Sequence, residues 1–279
     1  MKNPIYASTG AFIGMANGRN HRILREYAPK IECDGFEFMI YDDWYADFEN
    51  IISEVAGWGL NIPVVHFDKC IGILLAENTQ ESIAKAKRDF SKNVWAAKTL
   101  GAEKAVFHLW GGKSSDIFVH RSVAFLEGFY RECDEAGVEL LIENIPSRYN
   151  GPYRNWGIVR DAYEDARFIY DTRFGEYHAE HDIIMNSGLW KRVHHIHISS
   201  FLRGSNKQWG FLRPILHPGE GSLDFYGLVA RMPEYNYGVT LESPVLSPDG
   251  EIDVAKLNSS LAILRRAFDE KQNKIKNKQ

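Results

Sequence analysis

Eight short apolar runs recur along the chain, each separated from the next by a longer amphipathic stretch. They are "IYAST" (5–9), "DGFEFMI" (34–40), "IPVVHFD" (62–68), "KAVFHLW" (104–110), "VELLIEN" (138–144), "RFIYDT" (167–172), "VHHIHIS" (193–199) and "YGVTLES" (237–243). Most are rich in Val, Ile, Phe and Tyr and continuous rather than alternating, as strands of a parallel sheet buried on both faces are. The stretch 78–101 between two of them reads as a helix. It opens on the capping pair Asn78/Thr79, closes at Gly101, and repeats Ile83, Ala86, Phe90, Val94, Ala97 and Leu100 at helical spacing. Residues 115–137 and 253–272 read the same way, whereas the segment after Asp171 has little clear periodicity. Eight strands alternating with helices, with no Pro/Ser/Gly linker, predict a single-domain (β/α)8 TIM barrel over residues 1–279. A doubly wound open sheet is the competitor, but the glycine fingerprint it often carries after its first strand is absent.

In such barrels the chemistry sits at the carboxyl ends of the strands. The third run ends at His66 and Asp68, the fourth at His108, the fifth at Glu143, the sixth at Asp171, the seventh at His197 and the eighth at Glu242, with Glu37 towards the end of the second. Any one of these alone reads best as a satisfied structural group. Six consecutive runs delivering an imidazole or a carboxylate to one rim read differently, because such groups are costly to bury unless paired or bound to a metal. Oxygen and nitrogen donors without thiolate suit a divalent metal such as Mn, Zn, Co or Fe, with Mg a further candidate.

Composition narrows the function further. Of 279 residues 44% are hydrophobic and 25% charged, with a net charge of −4, so no general affinity for polyanions is expected. The basic tail 271–279 is expected to be a frayed, solvated terminus. Cys33, Cys70 and Cys133 form no CxxC pair, which fits a reducing compartment; Cys70 is expected in a loop. With no apolar signal region and no run of membrane-spanning length, a cytoplasmic protein without membrane partners is expected.

Four places carry a resemblance: "IEN" (142–144), "YDT" (170–172), "HIHIS" (195–199) followed by "HPGEGSLDF" (217–225), and "LES" (241–243). In order and spacing they resemble the xylose isomerase-like barrels, a superfamily that includes sugar and sugar-phosphate isomerases and epimerases and the apurinic/apyrimidinic endonuclease family 2. The resemblance implies a metal-dependent isomerase or epimerase that moves a proton next to a carbonyl through a metal-stabilised enediolate. It implies that Glu143, Asp171, His197 and Glu242 hold the ion, and that Glu143 and Glu242 are also the acid/base pair. His66, His108, Arg203, Asn144 and Glu37 would bind a small sugar or sugar-phosphate substrate, and homo-oligomers are common among such proteins.

The endonuclease reading, a phosphodiesterase on abasic DNA, draws on His66 and His108 as further ligands. It lacks three others, since Phe174, Arg213 and Ile215 stand at the matching places; a nucleic-acid partner is therefore not expected. A third reading is a barrel that binds a sugar without turning it over. His178 and His217 lie near the motifs but are displaced from ligand positions. Lys113, Ser114 and Ser115 before a helix start could cradle a phosphate, though a plain loop is the simpler reading. Trp110, Trp156, Trp209 and Phe174 are expected in rim loops.

Overall fold

The computed structural model describes residues 3–111, 115–202, 214–233 and 237–276. Its strands are β1 (Ile5–Ser8), β2 (Gly35–Met39), β3 (Val64–His66), β4 (Lys104–Phe107), β5 (Glu139–Glu143), β6 (Arg167–Asp171), β7 (Val193–Ile198), β8 (Ser200–Phe201), β9 (Ile215–Leu216) and β10 (Gly238–Leu241). β1 to β7 and β10 form a closed barrel in the order β1-β10-β7-β6-β5-β4-β3-β2, while β8 and β9 make a separate antiparallel pair. The (β/α)8 class expected from the apolar runs is the observed one. The chain divides into two compact units, Glu37–Tyr170 and Met1–Phe36 with Asp171–Gln279.

In the unit Glu37–Tyr170, parallel register sets the depth of each side chain. Met39 lies level with His66, Val106 with Leu141, and Glu143 with Ile169. Thr79 begins the helix Gln80–Thr99 through a reciprocal bond with Ser82, as the capping signal predicts. Phe90 of that helix stacks on Phe129 at 3.8 Å and meets Phe67 and Phe107 edge-on, so the apolar stripe is tied to the strands beneath.

In the other unit β10 lies between β1 and β7, with Ala7 level with Leu241 and Thr240 with His197. The closing helix Val254–Lys276 packs on β1. Its Arg265 makes a two-pronged contact with Asp34, whose Oδ2 also accepts from the Ile5 amide.

Several expectations are corrected. Cys70 does not stand in a loop; it opens the helix Cys70–Glu77. Residues 271–276 of the tail are helical rather than frayed: Lys271 donates to the Val229 and Met232 carbonyls and Gln272 to Asn3. The stretch 115–137 is a chain of short 3-10 and α turns before the regular helix Leu126–Ala136. Trp156 is not in a rim loop but in the helix Pro152–Ala162, fully buried and stacked on Phe168 at 4.4 Å. Phe174 likewise lies in a short helix, Thr172–His178. Among the described residues no helix is long and apolar enough to cross a membrane.

Candidate functional site

The strand-end residues occupy the positions expected of them. His66, Glu143 and Asp171 are the last residues of β3, β5 and β6, His197 is the penultimate residue of β7, and His108 and Glu242 directly follow β4 and β10. All except Glu242 are buried.

Within the unit Glu37–Tyr170, His66, His108 and Glu143 form one group, their donor atoms within 4.8 Å of one another. His108 Nε2 lies 2.5 Å from Glu143 Oε2, and His66 Nε2 lies 3.5 Å from the same oxygen. Burial pushes the His108 imidazole down to about 4 despite the pull of Glu143. It is therefore neutral near pH 7, and since a carboxylate accepts, its single N–H sits on Nε2. His66 Nδ1 lies 2.9 Å from the Phe67 carbonyl, which can only accept, so Nδ1 donates there. His108 thus aims Glu143, while His66 Nε2 stands beside the same oxygen.

The other strand-end groups of this unit behave differently. Glu37 is fully buried but lies level with Val64, one layer deeper along the barrel than His66. Asn144 is buried next to Glu143, its amide 3.4 Å from the Ile169 carbonyl. Asp68 has a structural role: its amide is held by Asn93, and its Oδ1 accepts from the Cys70 amide at the start of the next helix. The nearby Cys70 thiol is pushed up to about 12 by burial and by Asp68, so it offers no ready thiolate, as the donor types imply.

In the second unit, His197 Nδ1 lies 3.3 Å from Glu242 Oε1. Thr172 Oγ1 lies 3.2 Å from the carbonyls of both His197 and Ser199, fixing the end of β7. Asp171 caps the helix Thr172–His178 by accepting from the Phe174 amide through Oδ1, and its Oδ2 lies 3.7 Å from Arg173. His195, one layer below His197 on the same strand face, contacts Thr240 Oγ1 at 2.7 Å and stacks on Tyr6. Its only mark in the sequence is the spacing of two from His197 within "HIHIS".

The glycine-glutamate-glycine turn has a steric cause. Gly221 has φ +74°, and a Cβ there would come within 2.5 Å of the Phe201 carbonyl oxygen. Arg203, Trp209, Arg213, Lys113 and Ser114 lie outside the described residues, so the substrate arginine implied by the resemblance, and the plain loop preferred over a phosphate cradle, rest on sequence alone.

Gly72 belongs to no motif, yet its place is sterically fixed. Any Cβ on it would overlap the His108 carbonyl oxygen and approach the Leu109 carbonyl carbon to 3.0 Å. The backbone of the helix Cys70–Glu77 therefore rests directly on the segment that carries His108. Gly72→Ala is expected to displace that segment at a cost of roughly 1–3 kcal/mol, the range for overpacking a close-fitted site. Chemical denaturation checks this; an unchanged midpoint contradicts it.

The donor set fits a divalent ion. The carboxylates of Glu143, Asp171 and Glu242 and the imidazole of His197 stand at strand ends, a mixed oxygen and nitrogen set without thiolate.

No protein-family model and no curated protein matches the chain. Solved structures do resemble it. An L-ribulose 3-epimerase aligns with a TM-score of 0.70 at 14% identity, covering 98% of this chain and 97% of that one. The IOLI protein with a bound zinc atom aligns at 0.67 and 15% identity, covering 94% and 97%. A D-allulose 3-epimerase from Methylomonas sp. in complex with D-allulose aligns at 0.62 and 15% identity, covering 99% and 97%. The likeness is one of fold over nearly the whole chain.

Proposed function

We propose that this protein is a divalent-metal-dependent isomerase or epimerase of a small sugar or sugar phosphate. Glu143, Asp171, His197 and Glu242 would hold one ion, Mn, Zn, Co, Fe or Mg. The observation that supports this best is a glutamate held against a buried imidazole at two strand ends, His108–Glu143 at 2.5 Å and His197–Glu242 at 3.3 Å. Strand ends are where barrels of this class do their chemistry, and β5, β6, β7 and β10 are consecutive in the closed order. The epimerases and the zinc-binding protein that share the fold favour the same reading.

A bound divalent ion would supply Lewis acidity, polarising a sugar carbonyl so that the neighbouring C–H becomes acidic. The chain's own residues would do the rest. Glu143 and Glu242 would take and return the proton. The neutral His108, donating to Glu143, would hold that carboxylate in the orientation needed to accept it. His66 and Asn144 would bind substrate hydroxyls, with Glu37 deeper in the barrel, and Arg203 is proposed as a further substrate contact on sequence alone.

The test is solvent exchange. Purified protein loaded with Mn²⁺ is incubated with a panel of ketoses and ketose phosphates in deuterium oxide. Deuterium should appear at the carbon next to the carbonyl of at least one of them, faster than with chelated protein. A binding barrel would retain a sugar without exchange, and cleavage of abasic DNA without exchange would point instead to the phosphodiesterase.

A further inference from the structure

Once the chain leaves β10 at Glu242, four consecutive residues are tied down by four different partners. The Glu242 amide donates to the Ile198 carbonyl at 3.0 Å, and Ser243 Oγ donates to the Leu216 carbonyl at 2.9 Å. The Pro244 carbonyl lies 3.2 Å from His217 Nε2, and the Val245 amide donates to the Ala11 carbonyl at 2.8 Å. Three of these ties join the segment to backbone alone. The fourth runs through an imidazole, that of His217 in "HPGEG" (217–221).

His217 is itself anchored. Its Nδ1 lies 2.7 Å from the hydroxyl of Ser260, a buried residue of the helix Val254–Lys276. Burial and the Lys256 ammonium lower its pKa, so the ring is neutral near pH 7. A neutral imidazole carries one N–H, and a carbonyl can only accept, so the proton is on Nε2 and Nδ1 accepts from Ser260. The Ser260 hydroxyl also lies 2.9 Å from the Lys256 carbonyl, and its single proton serves one acceptor at a time. The imidazole bridges the closing helix and the peptide two residues beyond Glu242, and Pro244, lacking an amide proton, cannot strengthen that hold itself.

We infer that His217 is a positioning residue for Glu242, fixing the strand exit through the Pro244 carbonyl so that the carboxylate stands in place for its ion. The inference rests on the reading of Glu242 as a ligand. A merely packed histidine would matter for stability alone, whereas a positioning one matters for metal affinity according to which ring nitrogen is retained.

Two substitutions separate the nitrogens. His217→Gln places an amide N–H near the Nε2 position and can keep the bond to Pro244. His217→Asn places its amide near Nδ1, keeping Ser260 and losing Pro244. The measurement is the dissociation constant for Mn²⁺ on the full chain, by isothermal titration, for both variants, wild type and Glu242→Gln, with a thermal melt of each. The expected result is His217→Gln within about twofold of wild type and His217→Asn weaker by about tenfold, the lower end of what partners behind a ligand contribute. Should His217→Asn not fold, Ser260→Ala is read in its place, with a severalfold weakening expected from the loss of the hydroxyl that orients the ring. Equal affinities in Gln and Asn variants, high or low, would overturn the inference while leaving Glu242 a ligand. If Glu242→Gln itself binds Mn²⁺ as wild type does, the ligand reading fails first and the inference with it.

Discussion

Glu143→Gln is expected to abolish retention of the ion and to slow solvent exchange into the sugar by about 10²–10⁴-fold, the usual weight of a positioned acid/base group. The substitution is mild for the fold. The amide keeps an oxygen where the His108 N–H, now 2.5 Å from the carboxylate, can still donate. What disappears is the negative charge that a cation needs and the basicity that a proton needs. Metal content and deuterium incorporation are measured together, with a melt to show that the variant is folded. Wild-type exchange in a folded Glu143→Gln protein would remove Glu143 from the mechanism.

Acid is expected to destabilise the metal-free protein steeply between about pH 6.5 and 4. The unfolded chain carries its imidazoles near 6.5, whereas burial holds His108 neutral down to about 4. Across that window the unfolded state takes up a proton that the folded state refuses, so the stability His108 contributes at neutral pH is lost as pH falls. The difference between 6.5 and about 4 corresponds to roughly 3 kcal/mol at 1.36 kcal/mol per pH unit. His217, also lowered by burial, adds in the same direction. Urea denaturation of chelated protein at a series of pH values checks this. His108→Gln should flatten the profile, and a wild-type midpoint that holds or rises on acidification would contradict the account.

The rim residues were legible because strands buried on both faces are apolar until they end, so a carboxylate or imidazole marks the end itself. Glu143 closing "ELLIE" and Asp171 closing "RFIYD" are the clearest cases. The division of labour between them was not legible. That His108 donates to Glu143 while His66 turns its N–H to its own neighbour depends on side-chain direction, which spacing does not carry.

The helix Cys70–Glu77 leaves no signal in the sequence, because "CIGILLAE" is apolar on nearly every side and shows no amphipathic period. Gly72 carries no mark in the sequence of the carbonyl it must clear. The basic end of the chain looked solvated by composition, but Lys271 finds the Val229 and Met232 carbonyls across a long stretch of sequence. Strands β8 and β9, two residues each, are too short for any periodic signal.

A single divalent ion proposed to be held by Glu143, Asp171, His197 and Glu242 would show directly in the metal content of the purified chain. Elemental analysis is made of wild type, Glu143→Gln, Glu242→Gln and the pair His66→Ala and His108→Gln. About one ion per chain is expected, lost in both glutamate variants and kept in both histidine variants. About three ions per chain, or one ion lost with His66 and His108 but kept without Glu242, would contradict it.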